Sequence, residues 1–450
     1  MSLHEEHLHK LNQWIEEGRE FDIIELFSAL HPADIADLIE SLSEEDQNRL
    51  FTLLAMEKAS DVIMELSDAS REQILGRISD ERLARIVGDL DSDEAADILA
   101  DLPDKTVQEV LKAIPKEDSD DVRKLLAYDE ESAGGLMQTE IARIFDHDTV
   151  SEAIERIRRL SPDVKQIHYA YVTNRKGILV GVVPLWKLIQ SQAHQPIALI
   201  MEKEPIAVKA HVDQEEVAQI FQKYNLLALP VVDENGLLLG RITIDDVMDV
   251  VVDEASEDFL RMAGTSENEL VYSSRIFRIA RYRLPWLVIN LFGGLLTGYL
   301  MWLFKWTLKE TLVLVTFIPV ITGMGGNAGT QSSSIMVRGL ATEQVRLQRI
   351  RFNILKEFRV GIIMGLACGG VVGCVAYFWH GSPMIGVVVA IAMTTAITVA
   401  CTMGTLVPAI FYRLKIDPAV SSGPFVTTAN DITGIIIYLG IATLAMKFLH

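Results

Sequence analysis

The chain has 450 residues and a formal net charge of −21, a length typical of about three domains. The charge is unevenly distributed: 57 acidic and 30 basic residues precede Leu284 and give that part −27, whereas the remainder carries +6. So acidic a front part excludes a nucleic-acid partner, because phosphate binding requires a positive field. The three cysteines all lie in long apolar segments, which argues against a disulfide framework or a cysteine-ligated metal. No apolar signal core precedes the acidic part, so we expect it to remain in the cytoplasm.

A 12-residue apolar repeat extends from residue 24 to residue 126. An apolar residue occupies every twelfth position, and a second apolar column follows four residues later. The first column consists of Leu26, Leu38, Leu50, Val62, Ile74, Ile86, Ile98, Val110 and Val122. A spacing of four places both columns on one helical face, and helices this short are stable only when stacked. The repeat predicts an all-α solenoid over residues 24–136, after a helical lead-in over residues 1–23.

Acidic residues are frequent in the links and first turns of this solenoid. They include Asp61, Asp91, Asp93, Glu94 and Asp97. A solvated surface with carboxylates at helix starts explains them, and so does a surface that binds cations or another acidic domain. Their spacing alone does not distinguish the two.

Residues 137–252 contain two copies of a strand, helix, strand, strand, helix pattern, divided at about residue 200. The predicted elements of the first copy are a helix over 150–160, strands over 168–172 and 177–183, and a helix over 185–191. Those of the second are a helix over 214–224, strands over 228–232 and 237–242, and a helix over 244–251. The links between paired strands contain Asn174 to Gly177 and Asp233 to Gly236, which is typical hairpin chemistry.

This part resembles a tandem pair of cystathionine-β-synthase (CBS) domains, chiefly through LPVVDENGLLLGRITIDDVMDVV at Leu229–Val251. The resemblance implies an α/β fold that senses a small ligand, often an adenine nucleotide or a metal ion. The second copy keeps the Thr-x-x-Asp of the family as Thr243 and Asp246, the candidate nucleotide-binding residues. The first copy has Trp186 and Lys187 where a ribose-binding acid is expected.

An acidic connecting helix is predicted over residues 253–283. Its acids and those just before it recur at helical spacing, and no lysine occurs between Thr243 and Leu260. Like charges at this spacing repel one another. The pattern indicates a cation-binding surface, with an ordinary acidic linker as the alternative. The acids are Asp249, Asp253, Glu254, Glu257 and Asp258.

Five membrane spans are predicted in residues 284–450, at about 284–304, 312–336, 360–379, 384–411 and 424–446. Twenty helical residues cover about 30 Å, the thickness of the hydrocarbon core. Basic residues concentrate before the first span, between the second and third, and between the fourth and fifth. The positive-inside rule therefore predicts a cytoplasmic N-terminus and an external C-terminus.

Two features within these spans require explanation. The glycine-rich stretch from Thr322 to Gln331 permits either close helix packing or an unwound segment whose carbonyls line a wet cavity. Asp431 is the only carboxylate inside the predicted spans, and no lysine or arginine lies in a span core. Because an unpaired charge there is costly, an ion pathway is the default interpretation.

The whole chain resembles the MgtE family of magnesium channels. The motifs that carry the resemblance are YDEESAGGLM at Tyr128–Met137, the second CBS phrase, GGNAGTQSS at Gly325–Ser333 and DPAVSSGPFVTTANDITG at Asp417–Gly434. The resemblance implies a homodimer with one pore on its axis, containing Asp431 with Asn327 and the backbone of Gly325 and Gly326. It also implies a cytoplasmic magnesium-sensing cluster formed by Asp61, Asp93, Asp97, Asp213, Glu215, Asp246, Asp249, Glu254, Glu257, Asp258 and Asp417. Asn225 occupies a place where an acid can occur.

The expected function is Mg²⁺ influx that stops when cytoplasmic Mg²⁺ bridges the acidic domains, with Mg²⁺ as cargo and regulator and ATP as a further candidate ligand. A membrane-anchored CBS nucleotide sensor and a broader divalent-cation transporter are the alternatives. A proton-coupled transporter would normally have several ionisable groups within its spans. The chain has no Walker motif and no catalytic triad or dyad, so we expect no enzyme activity.

Overall fold

The computed structural model describes residues 3–100, 102–160, 164, 166–265, 276–310, 312–342, 344–345 and 350–447. Part of the predicted acidic connecting helix, residues 266–275, therefore lies outside the described residues. The chain divides into two compact units, Met1–Val252 and Asp253–His450, which are described separately.

A series of short helices begins the first unit and confirms the predicted solenoid. The first apolar column is buried at every position from Leu38 to Val122, whereas Leu26 is half-buried. Burial of this column against neighbouring helices stabilises units of only two to three turns. The helices are α1 (Leu3–Glu17), α2 (Glu20–Ala29), α3 (Pro32–Glu40), α4 (Glu44–Leu53), α5 (Met56–Glu65), α6 (Asp68–Leu75), α7 (Asp80–Val87), α8 (Ser92–Ala100), α9 (Asp104–Ala113) and α10 (Lys116–Leu125).

The second apolar column lies at the helix ends, not on the helical face that its spacing predicted. Leu54, Leu66 and Ile114 are the C-terminal caps of α4, α5 and α9. The next helix starts only a few residues later, where Ser43 and Ser79 accept hydrogen bonds from the backbone N–H of Asp46 and Arg82. Such N-caps satisfy backbone N–H groups that have no partner within the helix. The second column thus buries apolar side chains at the links between helices.

The two CBS copies follow the helices and confirm the predicted α/β pattern. One sheet has the order β1-β2-β3-β4 and the other β5-β6-β7, each with one parallel pair. The strands are β1 (Arg143–Phe145), β2 (Tyr169–Thr173), β3 (Leu179–Pro184), β4 (Glu202–Lys203), β5 (Val208–Lys209), β6 (Ala228–Val232) and β7 (Leu238–Thr243). The helices are α11 (Val150–Leu160), α12 (Leu185–Gln190), α13 (Ile197–Ile200), α14 (Gln214–Tyr224) and α15 (Ile244–Ala263).

The hairpin links explain why two strands begin later than predicted. Gly177 and Gly236 have φ angles of 79° and 82°, a conformation that side chains other than glycine rarely adopt. Asp233 Oδ1 accepts hydrogen bonds from the backbone N–H of Asn235 and Leu237 at 2.8 and 2.7 Å. The predicted strand that started at Gly177 therefore starts at Leu179, after the turn.

The Asp253–His450 unit contains five helices long and apolar enough to cross a membrane, within the described residues. This agrees with the five predicted spans, although several helices are longer than predicted. The candidate spans are Ile279–Leu303, Leu312–Ala341, Ile350–His380, Pro383–Arg413 and Pro424–Ala445. The elements are α16 (Ile276–Leu303), α17 (Lys305–Glu310), a 3₁₀ helix (Leu312–Phe317), α18 (Ile318–Ala341), α19 (Ile350–His380), α20 (Pro383–Arg413), α21 (Pro418–Ser422) and α22 (Pro424–Lys447).

Helices α19 and α20 pack closely through glycines spaced four residues apart. A Cβ atom at Gly365 would lie 2.7 Å from the carbonyl oxygen of Thr394. Thr394 Oγ1 in turn donates a hydrogen bond to the Gly365 carbonyl at 2.9 Å. Small residues at such a face allow two membrane helices to approach closely. The glycines of this face are Gly361, Gly365, Gly369 and Gly373.

We expect Gly365→Leu to separate α19 from α20 and to reduce strongly the yield of folded protein in detergent. Size-exclusion chromatography and thermal unfolding would measure this effect. Gly370→Leu is the matched control, because a Cβ atom at the exposed Gly370 meets nothing within 4 Å. Equal damage from both substitutions would contradict this account of the packing.

Candidate cation sites and the CBS cleft

Two carboxylates from distant parts of the sequence interact in the first unit. Asp93 lies in α8 and Asp246 in the first turn of α15. Asp93 is 5% exposed, and its Oδ1 has no hydrogen-bond partner in the described part of the chain. Burial, reinforced by the charge of Asp246, raises the pKa of Asp93 well above its usual range. Such a pair favours a bound proton or cation.

Asp246 is held in place by a local hydrogen bond. Thr243 Oγ1 donates to Asp246 Oδ2 at 2.5 Å, and the Thr243 backbone N–H donates to the same oxygen at 3.2 Å. Burial raises the pKa of Asp246 to about 6, although the bond from Thr243 opposes this shift. Thr243 and Asp246, the predicted nucleotide-binding pair, therefore use part of their hydrogen-bonding capacity on each other.

Asp93→Asn is expected to stabilise the protein without divalent cations at pH 7. An acid whose pKa is higher in the folded state destabilises the fold as pH rises through that pKa. For Asp246 a shift from 3.8 to about 6 corresponds to roughly 3 kcal/mol at most, and Asp93 shifts in the same direction. Unfolding temperatures measured in EDTA at pH 5 and pH 7 would test this.

The difference between pH 5 and pH 7 should shrink in Asp93→Asn. Asp61→Asn is the control, because Asp61 lies on α5 and is exposed. An Asp93→Asn variant less stable than wild type at pH 7 in EDTA would contradict the prediction.

The other predicted sensing residues of the first unit are more exposed. Asp61, Asp97 and Asp249 are exposed, and Glu215 is half-buried. Asp213 caps α14, with Oδ1 accepting from the Glu215 backbone N–H at 2.9 Å. Within the described residues, no group of three or more His, Cys, Asp or Glu side chains is arranged to hold a metal ion. The complete cluster therefore stays a prediction.

Asn225, where an acid can occur in the family, ends α14 as its C-cap. Its φ of 51° lies in the left-handed region. Asparagine tolerates this conformation better than most residues. Its backbone conformation accounts for an asparagine here.

A second group of acids lies in the other unit, between α15 and α21. Arg261 Nη1 lies 2.5 Å from Asp417 Oδ2, and Arg261 also forms an ion pair with Glu257. Burial, followed by the charges of Asp417 and Glu254, raises the pKa of Asp258 to about 6. The structure thus brings Asp417 together with Glu254, Glu257 and Asp258 of α15, which lie far from it in the sequence. Sequence reasoning missed Arg261, which follows directly after the lysine-free stretch.

Asp431 is half-buried in α22, a helix that contains a candidate span. Asn327 is exposed on α18, whereas Gly325 and Gly326 are buried in it. Helix α18 is continuous from Ile318 to Ala341. The unwound alternative for the glycine-rich stretch is therefore wrong in this structure, since a regular helix engages its own carbonyls. The pore-lining role of these residues stays a prediction.

Asp431 is not the only carboxylate within the candidate spans of the described residues. Glu357 lies in α19, and the candidate span Ile350–His380 begins about ten residues before the predicted one. Ser332 Oγ of α18 donates a hydrogen bond to Glu357 Oε2 at 2.9 Å. The prediction missed Glu357 because charged neighbours such as Lys356 and Arg359 lower the local hydropathy. The predicted span therefore began after Glu357, at residue 360. Its partner Ser332 supplies the polar contact that an acid in a membrane helix requires.

A cleft of about 200 Å³ lies between the two CBS copies. Its walls combine aromatic and small apolar side chains with charged residues at one end. Such a wall suits a flat ring with a polar substituent. The sequence analysis predicted none of its lining residues as ligand contacts, because they come from both copies. The lining consists of Tyr169, Tyr171, Val182, Glu202, Lys203, Glu204, Pro205, Ile206, Leu226, Ala228 and Pro230.

Comparison with known proteins identifies relatives of the whole arrangement. Magnesium transporter MgtE of Bacillus subtilis is 37% identical over 73% of this chain and 72% of its own length. The chain belongs to the MgtE family. Magnesium transporter MgtE of Thermus thermophilus is 38% identical over 72% of each chain. As a member of a transporter family the chain is not an enzyme.

Family models place the MgtE features along the chain. The MgtE intracellular N domain matches residues 30–131, CBS domains match 133–194 and 197–253, and the MgtE divalent cation transporter domain matches 318–441. With five apolar helices, this MgtE family member is a multi-pass membrane protein. A crystal structure of the cytosolic domain of the Mg²⁺ channel MgtE in complex with ATP is 34% identical. It matches with a TM-score of 0.52 over 54% of this chain and 99% of that chain.

Proposed function

We propose that this MgtE family member conducts Mg²⁺ into the cytoplasm and closes when cytoplasmic Mg²⁺ binds its acidic domains. The family and its Mg²⁺-transporting relatives support the transport. An acidic group within each of the two units supports the regulation. Two copies of the chain would form one pore, with the N-terminus in the cytoplasm and the C-terminus outside.

The observation that carries the regulatory proposal is the buried Asp93 carboxylate. Its Oδ1 has no hydrogen-bond partner among the described residues, and the carboxylate is close enough to Asp246 to feel its charge. A buried unpartnered carboxylate oxygen is unfavourable unless a cation or proton is supplied. Mg²⁺ uses one or two protein carboxylates and keeps several water molecules. Asp93 and Asp246 fit this requirement better than a closed cage of many ligands.

The second group extends the proposal to the membrane unit. Asp258, Asp417 and Glu254 interact electrostatically close to Arg261 and Arg338. A cation that binds these acids competes with Arg261 for Asp417. Binding would therefore rearrange the contact between the end of α15 and the start of α21, which precedes the pore helix α22. This is a local charge change coupled to a movable element.

In the pore, Asp431 would attract a mostly hydrated Mg²⁺, with Asn327 as a neutral ligand. One carboxylate per chain concentrates a divalent cation without trapping it, because Mg²⁺ loses water reluctantly. The continuous helix α18 leaves side chains, and not unwound carbonyls, as the natural ligands. The same chemistry admits other divalent cations, so Mg²⁺ selectivity requires a direct measurement.

ATP is a second candidate ligand, in the cleft between the CBS copies. The related cytosolic domain was crystallised with ATP, and this cleft offers Tyr169 for base contact and Lys203 for phosphate. We assign ATP a modulating role, since the acidic groups lie elsewhere. Thr243 and Asp246 do not line this cleft.

Small-angle scattering of a fragment of residues 1–252 should test the Mg²⁺ switch. We expect millimolar Mg²⁺ to contract the fragment, because a divalent ion bridges carboxylates that otherwise repel. Sodium at equal ionic strength only screens charge, over about 8 Å, and should contract it much less. The double variant Asp93→Asn, Asp246→Asn should lose the Mg²⁺ effect. Equal contraction by sodium, or contraction by ATP alone, would exclude the proposed metal switch.

A further inference from the structure

The two CBS copies are related by an internal pseudo-symmetry that their strand registers define. In the sheet of the first copy Tyr171 pairs with Val182, and Val182 pairs with Glu202, a residue of the second copy. In the sheet of the second copy Pro230 pairs with Arg241, and Arg241 forms a bridge with Gln138, a residue of the first copy. Arg241 is therefore the structural counterpart of Val182, and Gln138 that of Glu202.

This correspondence defines two equivalent clefts. Val182, Glu202, Tyr171 and Pro230 all line the open cleft of about 200 Å³. The symmetry-related positions are occupied by Arg241, Gln138, and again Pro230 and Tyr171. The second, equivalent cleft position thus has an arginine where the open cleft has a valine.

The Arg241 side chain fills this second position. Arg241 is 2% exposed, although arginine is rarely buried so completely,. Its Nη2 donates a hydrogen bond to Gln138 Oε1 at 3.1 Å, and its Nη1 donates to the Gln166 carbonyl at 3.2 Å. The buried Tyr171 hydroxyl nearby has no hydrogen-bond partner within the described residues. A planar, hydrogen-bonded group therefore takes the place of a flat ligand.

We propose that Arg241 is a built-in occupant of the second CBS cleft, so that each chain has one open cleft for a planar ligand such as an adenine ring. The guanidinium group is flat and donates in its own plane, as a bound purine would. The chain thus binds ligand in the open cleft. In the other cleft, the Arg241 side chain links β7 to Gln138 and Gln166. The proposal depends on the proposed ATP site only for the choice of one probe.

The first test transfers the arginine to the open cleft of the full-length chain. Val182→Arg should close this cleft, with Glu202 next to the new side chain as Gln138 is next to Arg241. Equilibrium dialysis with ATP should give one site per chain in the wild type and at least tenfold weaker binding in Val182→Arg. Ile189→Arg adds the same charge at a position that is 72% exposed and should keep one site. Unchanged ATP binding by a folded Val182→Arg would overturn the proposal.

The second test uses no nucleotide. Arg241→Val should leave a cavity that n-propylguanidinium refills, so 10 mM of this cation should raise the unfolding temperature of Arg241→Val by several degrees. Arg241→Met keeps the bulk of the side chain and should not respond, nor should the wild type. No stabilisation of a folded Arg241→Val would overturn the proposal.

The two tests separate this inference from the proposed function. If wild type binds no ATP, the proposed ATP role fails, and rescue by n-propylguanidinium still decides the role of Arg241. If Arg241→Val folds only with n-propylguanidinium present, the proposal is supported. If Arg241→Val fails to fold even with n-propylguanidinium, the ATP affinity of Val182→Arg decides whether the proposal stands.

Discussion

Asp431→Ala is expected to abolish Mg²⁺ uptake into proteoliposomes, by at least a hundredfold, while the protein still folds and inserts. A carboxylate within a membrane helix is retained only at a cost of several kcal/mol, and here it would supply the charge that attracts the cation. Asp431→Asn keeps the shape and loses the charge, so it should retain little uptake. Flux of Mg²⁺ followed with an entrapped fluorescent indicator, at low internal Mg²⁺, would measure the loss.

Glu357→Gln is the matched control for this experiment. Glu357 is the other carboxylate in the described candidate spans, and a glutamine can still accept the hydrogen bond from Ser332. Uptake by Glu357→Gln should stay within a fewfold of wild type. Wild-type uptake by Asp431→Ala would remove Asp431 from the pore. An equal loss in both variants would show a general requirement for acids in the bundle.

Neutralising five acids of α15 should leave a channel that no longer closes at high internal Mg²⁺. The physical reason is that Mg²⁺ binds carboxylate oxygens, so the acids within each group can share an ion only while they are charged. Without them the arrangement no longer depends on Mg²⁺, so the half-inhibitory Mg²⁺ concentration should rise at least tenfold. Uptake at several fixed internal Mg²⁺ concentrations would measure this. The five substitutions are Asp246→Asn, Asp249→Asn, Glu254→Gln, Glu257→Gln and Asp258→Asn.

The control for this variant removes the same charge from the solenoid surface. Five glutamates exposed there lie outside both acidic groups, and their loss should leave the inhibition curve close to that of wild type. An inhibition curve of the α15 variant that overlays the wild-type curve would identify these acids as an ordinary solvated face. The control substitutions are to glutamine at Glu45, Glu65, Glu72, Glu81 and Glu117.

Periodic and local features could be predicted from the sequence. The 12-residue repeat predicted the solenoid because burial of Leu38, Leu50 and their counterparts follows chain spacing. The hairpin turns and the four strands beside them, β2, β3, β6 and β7, were predicted within two residues, since Gly177 and Gly236 determine local backbone geometry. Five spans followed from apolar length. The helical spacing of Asp249, Glu254, Glu257 and Asp258 indicated a cation-binding surface, and the family motifs added the other residues of the acidic groups.

Only the tertiary structure decided which side chains meet. It placed Asp93 against Asp246, 153 positions apart in the sequence, and Arg261 against Asp417. It made α18 a continuous helix, in which a side chain at Gly329 would collide with Asn430. It also placed Glu357 inside a candidate span beside Ser332. It also gave the pseudo-symmetric Val182 and Arg241 opposite roles. Sequence spacing determines which face of one element a residue lies on, whereas burial, charge and hydrogen bonding depend on the element packed against that face.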